Sequence, residues 1–516
     1  MSYFPRPARA GFRPPLPPPP AARKATPVHD PDAPAGAHRT GTIVAVVGII
    51  FTMLTLNGTA PSDVARYAAI GTGVSILASV FFDLKLGARN LQRADLFAIL
   101  AYYFLTLFEF LFPQRNFDKM LHTELADEGS IICMVGFLGL FIGRHLLKPK
   151  QQPFRTTLTH EIPQSLMLFI FWAAFIIGYS NMLAAVKGDF WEMIQQFMAP
   201  RFSQPWSREK LGSWTSLLYE LSMFIQFVPP LAGIIIARRH RYPVIHLVLV
   251  LAAFLLTAFY GFSSGTRNVF ATYLVSFLIG YSLARPPHHN LEIAILAGSF
   301  AVMMGLATFF MLQFRDVGLK EYMSERYIVP ASQTSPDAKT LYVDYNLFSI
   351  CKLAEFFPST HDYLGFEIPY QALIRPIPRA IWKDKPIGLS MSIEDALNVE
   401  GLTLSASFAG EAYMSGGTIA VFIIALALGA FMGWWSSLSS PHNSEIGHLV
   451  YASGFFAAVI SMRSLFVFTT ALLPAIAAIV VSTLLVRILL GQARKILRRG
   501  QAYGGPPPRP RPVGRP

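Results

Sequence analysis

The sequence predicts an all-α integral membrane protein, a polytopic bundle of about twelve transmembrane helices with one large extracytoplasmic loop region. Of its 516 residues, 53% are hydrophobic and only 14% are charged, whereas soluble chains carry roughly 25% charged residues. Aromatic residues make up 13%, with 42 Phe, which suits lipid-facing helices and interface belts. Apolar segments also recur along the chain at lengths that fit a bilayer.

These apolar segments are each close to the ~20 residues that a helix needs to cross about 30 Å of hydrocarbon. Because lipid offers backbone groups no hydrogen-bond partners, such segments must be helical. The predicted spans are 42–57, 67–84, 94–112, 130–147, 165–186, 215–237, 244–262, 266–284, 291–313, 417–438, 447–468 and 470–490.

The spans divide the chain into five regions. Residues 1–40 form a disordered, Pro- and Arg-rich cytoplasmic tail. Residues 41–313 carry transmembrane helices one to nine, and 314–416 form the large extracytoplasmic loop with short helices. Residues 417–491 carry helices ten to twelve, and 492–516 form a disordered basic cytoplasmic tail.

The net charge of +13 sets orientation, because Lys and Arg concentrate in cytoplasmic loops. The basic residues of alternate loops are Lys85, Arg89 and Arg93; Arg144, Lys148 and Lys150; Arg238, Arg239 and Arg241; Arg285; and Arg494, Lys495, Arg498 and Arg499. They lie on the side of the basic N-terminal tail, so both termini are predicted to be cytoplasmic. No nucleic-acid motif is present, and the bilayer is the expected surrounding.

The long loop contains a cationic stretch, Gln371 to Gly388. Proline fixes φ and removes a donor, so we expect a stiff, extended segment without helix that could hold a phosphate. An ordinary solvated loop is the alternative. Upstream, residues 347–357 have helical apolar spacing and predict an amphipathic helix on the membrane or the bundle. The cations of this stretch are Arg375, Arg379, Lys383 and Lys385.

Two further arginines, Arg267 and Arg463, fall at the predicted outer ends of spans. Arginine there is costly and usually faces a partner or a polar cavity, although a snorkelling side chain is the alternative. With Arg375 and Arg379 on the same face, these residues predict an outward-facing anion site. Cys133 and Cys351 fit neither a disulfide framework nor a metal site, and we expect no metal and no cofactor.

Three short motifs in the C-terminal half occur in a familiar order: Gly265-Thr266-Arg267, Ile377-Pro378-Arg379 with Trp382 and Lys385-Pro386, and Gly410-Glu411-Ala412-Tyr413. Together they resemble the Wzy-type O-antigen polymerases, also described as oligosaccharide repeat unit polymerases. The chain departs from that pattern where the family commonly has Gly-Ser-Arg, and in the elbow at Tyr363–Phe366.

The resemblance implies an enzyme of the bacterial cytoplasmic membrane that transfers undecaprenyl-diphosphate-linked glycans on the outer face. Fixed guanidinium groups would stabilise the diphosphate as charge grows on it. It also implies a chain-length regulator and a flippase of the same pathway as candidate partners. The implied substrate-binding residues are Arg267, Arg375, Arg379, Arg463, Lys385 and Trp382.

The attacking sugar hydroxyl needs a proton acceptor. Glu411 is preferred because it lies at the membrane edge, and His361 is second, with Asp362 and Glu367 as further candidates. For each, a structural role beside an arginine is the alternative. The transfer is predicted to be metal-independent.

Two other functions fit the same pattern. An O-antigen ligase uses the same donor but a lipid A core as acceptor. A secondary transporter shares the span count, but its repeat symmetry is not visible in this sequence.

Overall fold

The computed structural model describes residues 36–147, 154–200, 203–206, 221–285, 289–314, 318–324, 346–377, 382, 384–386, 389–391, 393, 405–440 and 443–503, and it has helices but no strand among them. The helices are α1 (Arg39–Leu54), α2 (Pro61–Leu84), α3 (Ala94–Thr106), α4 (Arg115–Asp118), α5 (Thr123–Gly143), α6 (Arg155–Thr159), α7 (Gln164–Ala185), α8 (Phe190–Phe197), α9 (Val228–Ala237), α10 (Val244–Ser263), α11 (Arg267–Ala284), α12 (Asn290–Phe314), α13 (Leu319–Ser324), α14 (Asn346–Phe356), α15 (Glu367–Ile374), α16 (Ser407–Ser436), α17 (Glu445–Ser461) and α18 (Leu465–Tyr503).

Seven of these helices are long and apolar enough to cross a membrane, namely α2, α5, α7, α10, α12, α16 and α18. The all-α class is therefore confirmed for the described residues. The other five predicted spans overlap α1, α3, α9, α11 and α17 but differ from them in length. Of the span 215–237, residues 215–220 lie outside the described residues, and α9 forms only its last ten residues. That all twelve cross a bilayer stays a prediction.

Helices α5 and α16 pack closely together, and glycine makes their approach possible. Gly139 and Gly143 lie one turn apart on α5 and face α16, where Gly429 and Gly433 have the same spacing. A Cβ atom on Gly429 would lie only 2.5 Å from the carbonyl oxygen of Leu140. Small residues at this spacing let membrane helices pack backbone against backbone.

A buried ion network joins α2, α3 and α5 at one end of the bundle. The Nη1 atom of Arg93 lies 3.1 Å from Asp83, and its Nε donates to Asp95 at 3.0 Å. Arg144 lies 3.6 Å from the other Asp83 oxygen. Ser436 of α16 donates to Asp95 at 2.7 Å. Because a buried charge needs a partner, these groups hold four helices together.

Arg93 and Arg144, two of the basic loop residues behind the predicted orientation, lie inside this network: Arg93 is fully buried and Arg144 is 4% exposed. The physical reason is that Asp83 and Asp95 lie close in sequence and neutralise both guanidinium groups inside the bundle.

In the second half of the bundle, some helices pack closely against each other and others are little buried. Gly233 of α9 and Gly280 of α11 each touch the backbone of the opposite helix, so α9 and α11 form a second close pair. Helix α12 differs, because only 6% of its apolar window is buried inside the protein. Most of this part of α12 therefore faces away from the rest of the bundle.

The long segment between α12 and α16 confirms one predicted helix and corrects two boundaries. The predicted amphipathic helix at 347–357 is α14, and its Cys351 is buried against Gly129 of α5. Residues 371–374 are helical, contrary to the predicted extended loop, because α15 runs until Pro376 approaches. Helix α16 begins at Ser407 rather than 417 and is kinked at Gly416 and Gly417, where Gly417 has φ +67°.

At the C-terminus, α18 continues to Tyr503, so residues 492–503 of the predicted disordered tail are helical. Residues 1–35 and 504–516 of the two predicted tails lie outside the described residues, as does the predicted site residue Arg379.

Candidate anion-binding cavity

A cavity of about 510 Å³ lies between α3, α11, α12 and α17. Most of its wall is apolar and comes from α3 and the short 3-10 turn that follows it. The apolar lining residues are Phe97, Leu100, Ala101, Tyr103, Phe104, Leu105, Phe108, Ala271, Val275, Met304 and Val459. Leu100 and Phe104 are 40% and 52% exposed, so this wall also faces the lipid side of the bundle.

The other end of the cavity is polar and positively charged. Its lining includes Arg267, Asn268, Asn346, Ser405 and Arg463. No acidic side chain is among the described residues that line the cavity. The structure therefore brings two of the predicted site residues, Arg267 and Arg463, to one cavity; that this cavity binds an anion stays a prediction.

The turn between α10 and α11 positions Arg267. Gly265 has φ +63°, a conformation that glycine adopts without steric cost, and it lets α11 begin two residues later. Thr266 precedes the helix, but its hydroxyl donates back to the Ser264 carbonyl at 3.3 Å and no side chain caps α11. A helix start with uncapped N–H groups attracts anions.

Arg463 lies in the turn between α17 and α18. Its N–H donates to the Ile460 carbonyl at 3.0 Å, and its own carbonyl accepts a bond from Ser405 at 3.4 Å. The N–H of Phe408 bonds to the Met462 carbonyl at 3.1 Å. The start of α16 therefore holds this turn against the cavity.

Glu411 is buried directly behind the same turn. Its two oxygens accept bonds from the Ser464 hydroxyl and the Leu465 N–H, both at 2.6 Å, and it is 5% exposed. A carboxylate in this position caps a helix and complements its dipole. Glu411 thus anchors the start of α18 and is not among the described residues lining the cavity.

Arg375 lies near this anchor, and Lys385 contacts the loop that carries Arg375. The Arg375 guanidinium lies 5.7 Å from the centre of the Phe466 ring and interacts electrostatically with Glu411. Lys385 donates to the carbonyls of Arg375 and Ile377, both at 2.9 Å, and so fixes the loop. Neither residue, nor the half-buried Trp382, is among those that line the described cavity.

His361 is not brought to the cavity. Asn346 lines it at the start of α14, whereas His361 follows the far end of that 11-residue helix, a distance of roughly 15 Å along the axis. The Nδ1 of His361 bonds to the Asp362 carbonyl at 2.7 Å. If Nδ1 carries the proton, Nε2 is the acceptor nitrogen. The reserve candidate Glu367 accepts a bond from the Ser390 hydroxyl at 2.6 Å.

Sequence reasoning missed the polar contribution of Asn346 and Ser405 and the whole α3 wall. The family resemblance covered only the C-terminal half of the chain, so it assigned no site residue to α3. The run of aromatic residues Tyr102, Tyr103, Phe104 and Phe108 was the available signal. Among the described residues, no group of three His, Cys, Asp or Glu side chains could hold a metal ion.

A family model described as a domain of unknown function (DUF8712) matches residues 345–492, which is less than a third of the chain. The match runs from the start of α14 into α18, so it includes Glu411 and Arg463 but not Arg267. No curated protein and no solved structure matches the chain.

Proposed function

We propose that the chain is a glycosyltransferase that polymerises undecaprenyl-diphosphate-linked oligosaccharide repeat units into O-antigen or exopolysaccharide. It would act at the outer face of the bacterial cytoplasmic membrane. One observation carries the proposal: Arg267 and Arg463, from distant parts of the chain, share the polar end of a cavity whose other walls are apolar. That combination matches an anionic headgroup joined to a hydrocarbon chain.

The chemistry of the transfer uses the polar end. When the sugar leaves, negative charge grows on the diphosphate, and fixed guanidinium groups stabilise that charge more than they stabilise the bound substrate. The uncapped start of α11 adds N–H donors beside Arg267. The apolar wall at α3 would receive the first isoprene units, while the rest of the chain stays in the bilayer.

Glu411 takes a positioning role in this proposal. Its bonds to Ser464 and Leu465 fix the turn that carries Arg463. His361 remains the proton-acceptor candidate with an acceptor nitrogen, and it would need the elbow after α14 to approach the cavity. Arg375, Arg379, Lys385 and Trp382 stay candidates for contacts with the glycan or the second lipid-linked substrate.

The two alternatives differ in how well they fit the cavity. An O-antigen ligase would use the same donor site, so only the acceptor separates it from a polymerase. Transporter sites lie near the middle of the membrane. Here Arg267 begins one helix and Arg463 follows another, so the charged end lies near a membrane surface. The position favours an enzyme.

The test measures binding and polymer formation with the full-length purified protein. Undecaprenyl diphosphate is the probe, and undecaprenol, which lacks the phosphates, is its matched ligand control. Arg267→Gln and Arg463→Gln should each weaken diphosphate binding about 10- to 100-fold, because a hydrogen bond to a charged group contributes roughly 1.5–3 kcal/mol. Arg267→Lys should fall between the wild type and Gln.

Lys352→Gln serves as the matched control, because Lys352 forms a surface ion pair with Glu355 at 2.7 Å, and such pairs contribute little. It should bind normally and support polymers of normal length in a deletion strain. Equal affinity of the wild type for undecaprenol and undecaprenyl diphosphate would contradict the site. Transfer to lipid A core, without elongation of lipid-linked repeats, would instead identify a ligase.

A further inference from the structure

A second group of basic side chains lies at the end of the bundle opposite the cavity. The basic cluster consists of Arg89, Arg238, Arg241 and His448. Helix α17 carries His448 in its first turn, and the cavity residue Arg463 follows the end of the same 17-residue helix. The two sites are thus separated by roughly 25 Å, close to the thickness of a hydrocarbon core.

Three loops bring the basic cluster together. Arg89 follows α2 and donates to the Arg285 carbonyl at 2.5 Å. Arg238 and Arg241 belong to the short connection between α9 and α10. Arg241 lies 3.1 Å from Glu445 at the start of α17.

The charges around His448 are mainly positive. Both Arg89 and Arg238 interact electrostatically with its imidazole. Glu445 interacts with Arg238, Arg241 and the exposed Glu161. Arg241 pairs with Glu445, and Arg89 and Arg238 bring two further guanidinium groups to the surroundings of His448.

Buried polar atoms in the basic cluster also lack partners. His448 is 4% exposed, and its Nδ1 has no hydrogen-bond partner among the described residues. The Nε of Arg238 is also buried and has no hydrogen-bond partner among the described residues. A buried polar group without a partner costs about 1–3 kcal/mol, so a ligand that accepts hydrogen bonds would be favoured here.

We propose that the basic cluster binds a phosphate group, and that this phosphate belongs to the headgroup of an anionic phospholipid in the leaflet opposite the cavity. Guanidinium groups match phosphate geometry. Basic pockets between transmembrane helices bind such headgroups, because the helix ends lie at headgroup depth. This proposal is independent of the proposed enzymatic function, because it uses none of the cavity residues.

The experiment compares lipids on the purified full-length protein. Native mass spectrometry counts retained phosphatidylglycerol or phosphatidylcholine, and thermal unfolding follows stabilisation by each lipid and by inorganic phosphate. Wild type should retain phosphatidylglycerol and unfold at a higher temperature with it than with phosphatidylcholine. Arg238→Gln should lower phosphatidylglycerol retention at least about tenfold.

Arg239→Gln is the matched control, because Arg239 is the exposed neighbour in the same loop and carries the same charge. It should retain phosphatidylglycerol like the wild type. Arg89→Gln repeats the test if Arg238→Gln does not fold. Stabilisation by inorganic phosphate equal to that by phosphatidylglycerol would overturn the lipid assignment. Equal retention by the Arg238, Arg89 and Arg239 variants would overturn the site.

Discussion

At the scale of single residues, the starts of α11 and α18 differ in whether side chains cap them. The start of α18 is capped by Glu411 and Ser464, whereas no side chain caps the start of α11. Since a capped start has its donors satisfied, the start of α11 is better suited than the start of α18 to bind an anion in the cavity. The contrast is consistent with the different roles proposed for Arg267 at one helix start and Glu411 at the other.

Glu411→Gln tests whether this carboxylate positions Arg463 or accepts the proton. Glutamine offers one acceptor oxygen where glutamate offers two, so it can replace only part of the bonding with Ser464 and Leu465. We therefore expect the free energy of unfolding to fall by about 1–2 kcal/mol. Undecaprenyl diphosphate binding should also weaken. Chemical denaturation and lipid binding measure the two effects.

His361→Gln is the comparison for that variant. It should leave stability and lipid binding unchanged, because His361 lies beyond the far end of α14 from the cavity. A Glu411→Gln protein with normal stability and lipid affinity but no turnover would instead restore Glu411 as the proton acceptor.

At the scale of elements, the packing of α5 against α16 connects the buried ion network with the region of the candidate site. Helix α16 reaches Asp95 through Ser436 at one end and carries Glu411 at the other. Its close packing on α5 through four glycines therefore links the two ends of the bundle.

Gly429→Leu should disrupt this contact strongly. Even a Cβ atom there would lie 2.5 Å from the Leu140 carbonyl oxygen, and a larger side chain must push the two helices apart. Overpacking of this kind costs about 1–3 kcal/mol or more, so thermal unfolding should occur at a clearly lower temperature.

Gly298→Leu on α12 is the matched substitution, because a Cβ atom at Gly298 would have no neighbour within 4 Å. It should unfold like the wild type or slightly later, since leucine favours helix over glycine. A similar loss of stability in both variants would mean that the α5–α16 contact has no special weight.

At the scale of the whole molecule, the predicted orientation places the cavity outside the cell and the basic cluster inside. Phe366→Cys lies on an exposed elbow beside α15, and Arg239→Cys lies in the exposed loop at the opposite end. The native Cys133 and Cys351 are both buried, so an impermeant maleimide should report on the introduced thiols.

In intact cells, the reagent should label Phe366→Cys, and it should label Arg239→Cys only after the membrane is permeabilised. The unsubstituted protein gives the background from the native thiols. The reverse pattern would show that the termini are outside and would remove the outer-face enzyme from consideration.

The sequence predicted those features that depend on local composition. Apolar length predicted the helices, and the cost of arginine in lipid predicted that Arg267 and Arg463 face one site. It did not predict contacts that depend on tertiary packing. The bond that the Ser464 hydroxyl donates to Glu411 spans 53 positions, and Arg144 lies 61 positions along the chain from its partner Asp83. The proline spacing also led to a wrong prediction of extended backbone at 371–374, because α15 continues to Ile374, shortly before Pro376.

Little of helix α12 is buried inside the protein, so its position depends more on the surrounding lipid or detergent than on the other helices. Its Met304 nevertheless lines the cavity. The choice of solubilising agent therefore becomes part of any assay. Short-chain detergent should let this helix drift and empty the site while the rest of the bundle stays folded, and a lipid nanodisc should keep it in place. Lost turnover after extraction would then reverse on reconstitution.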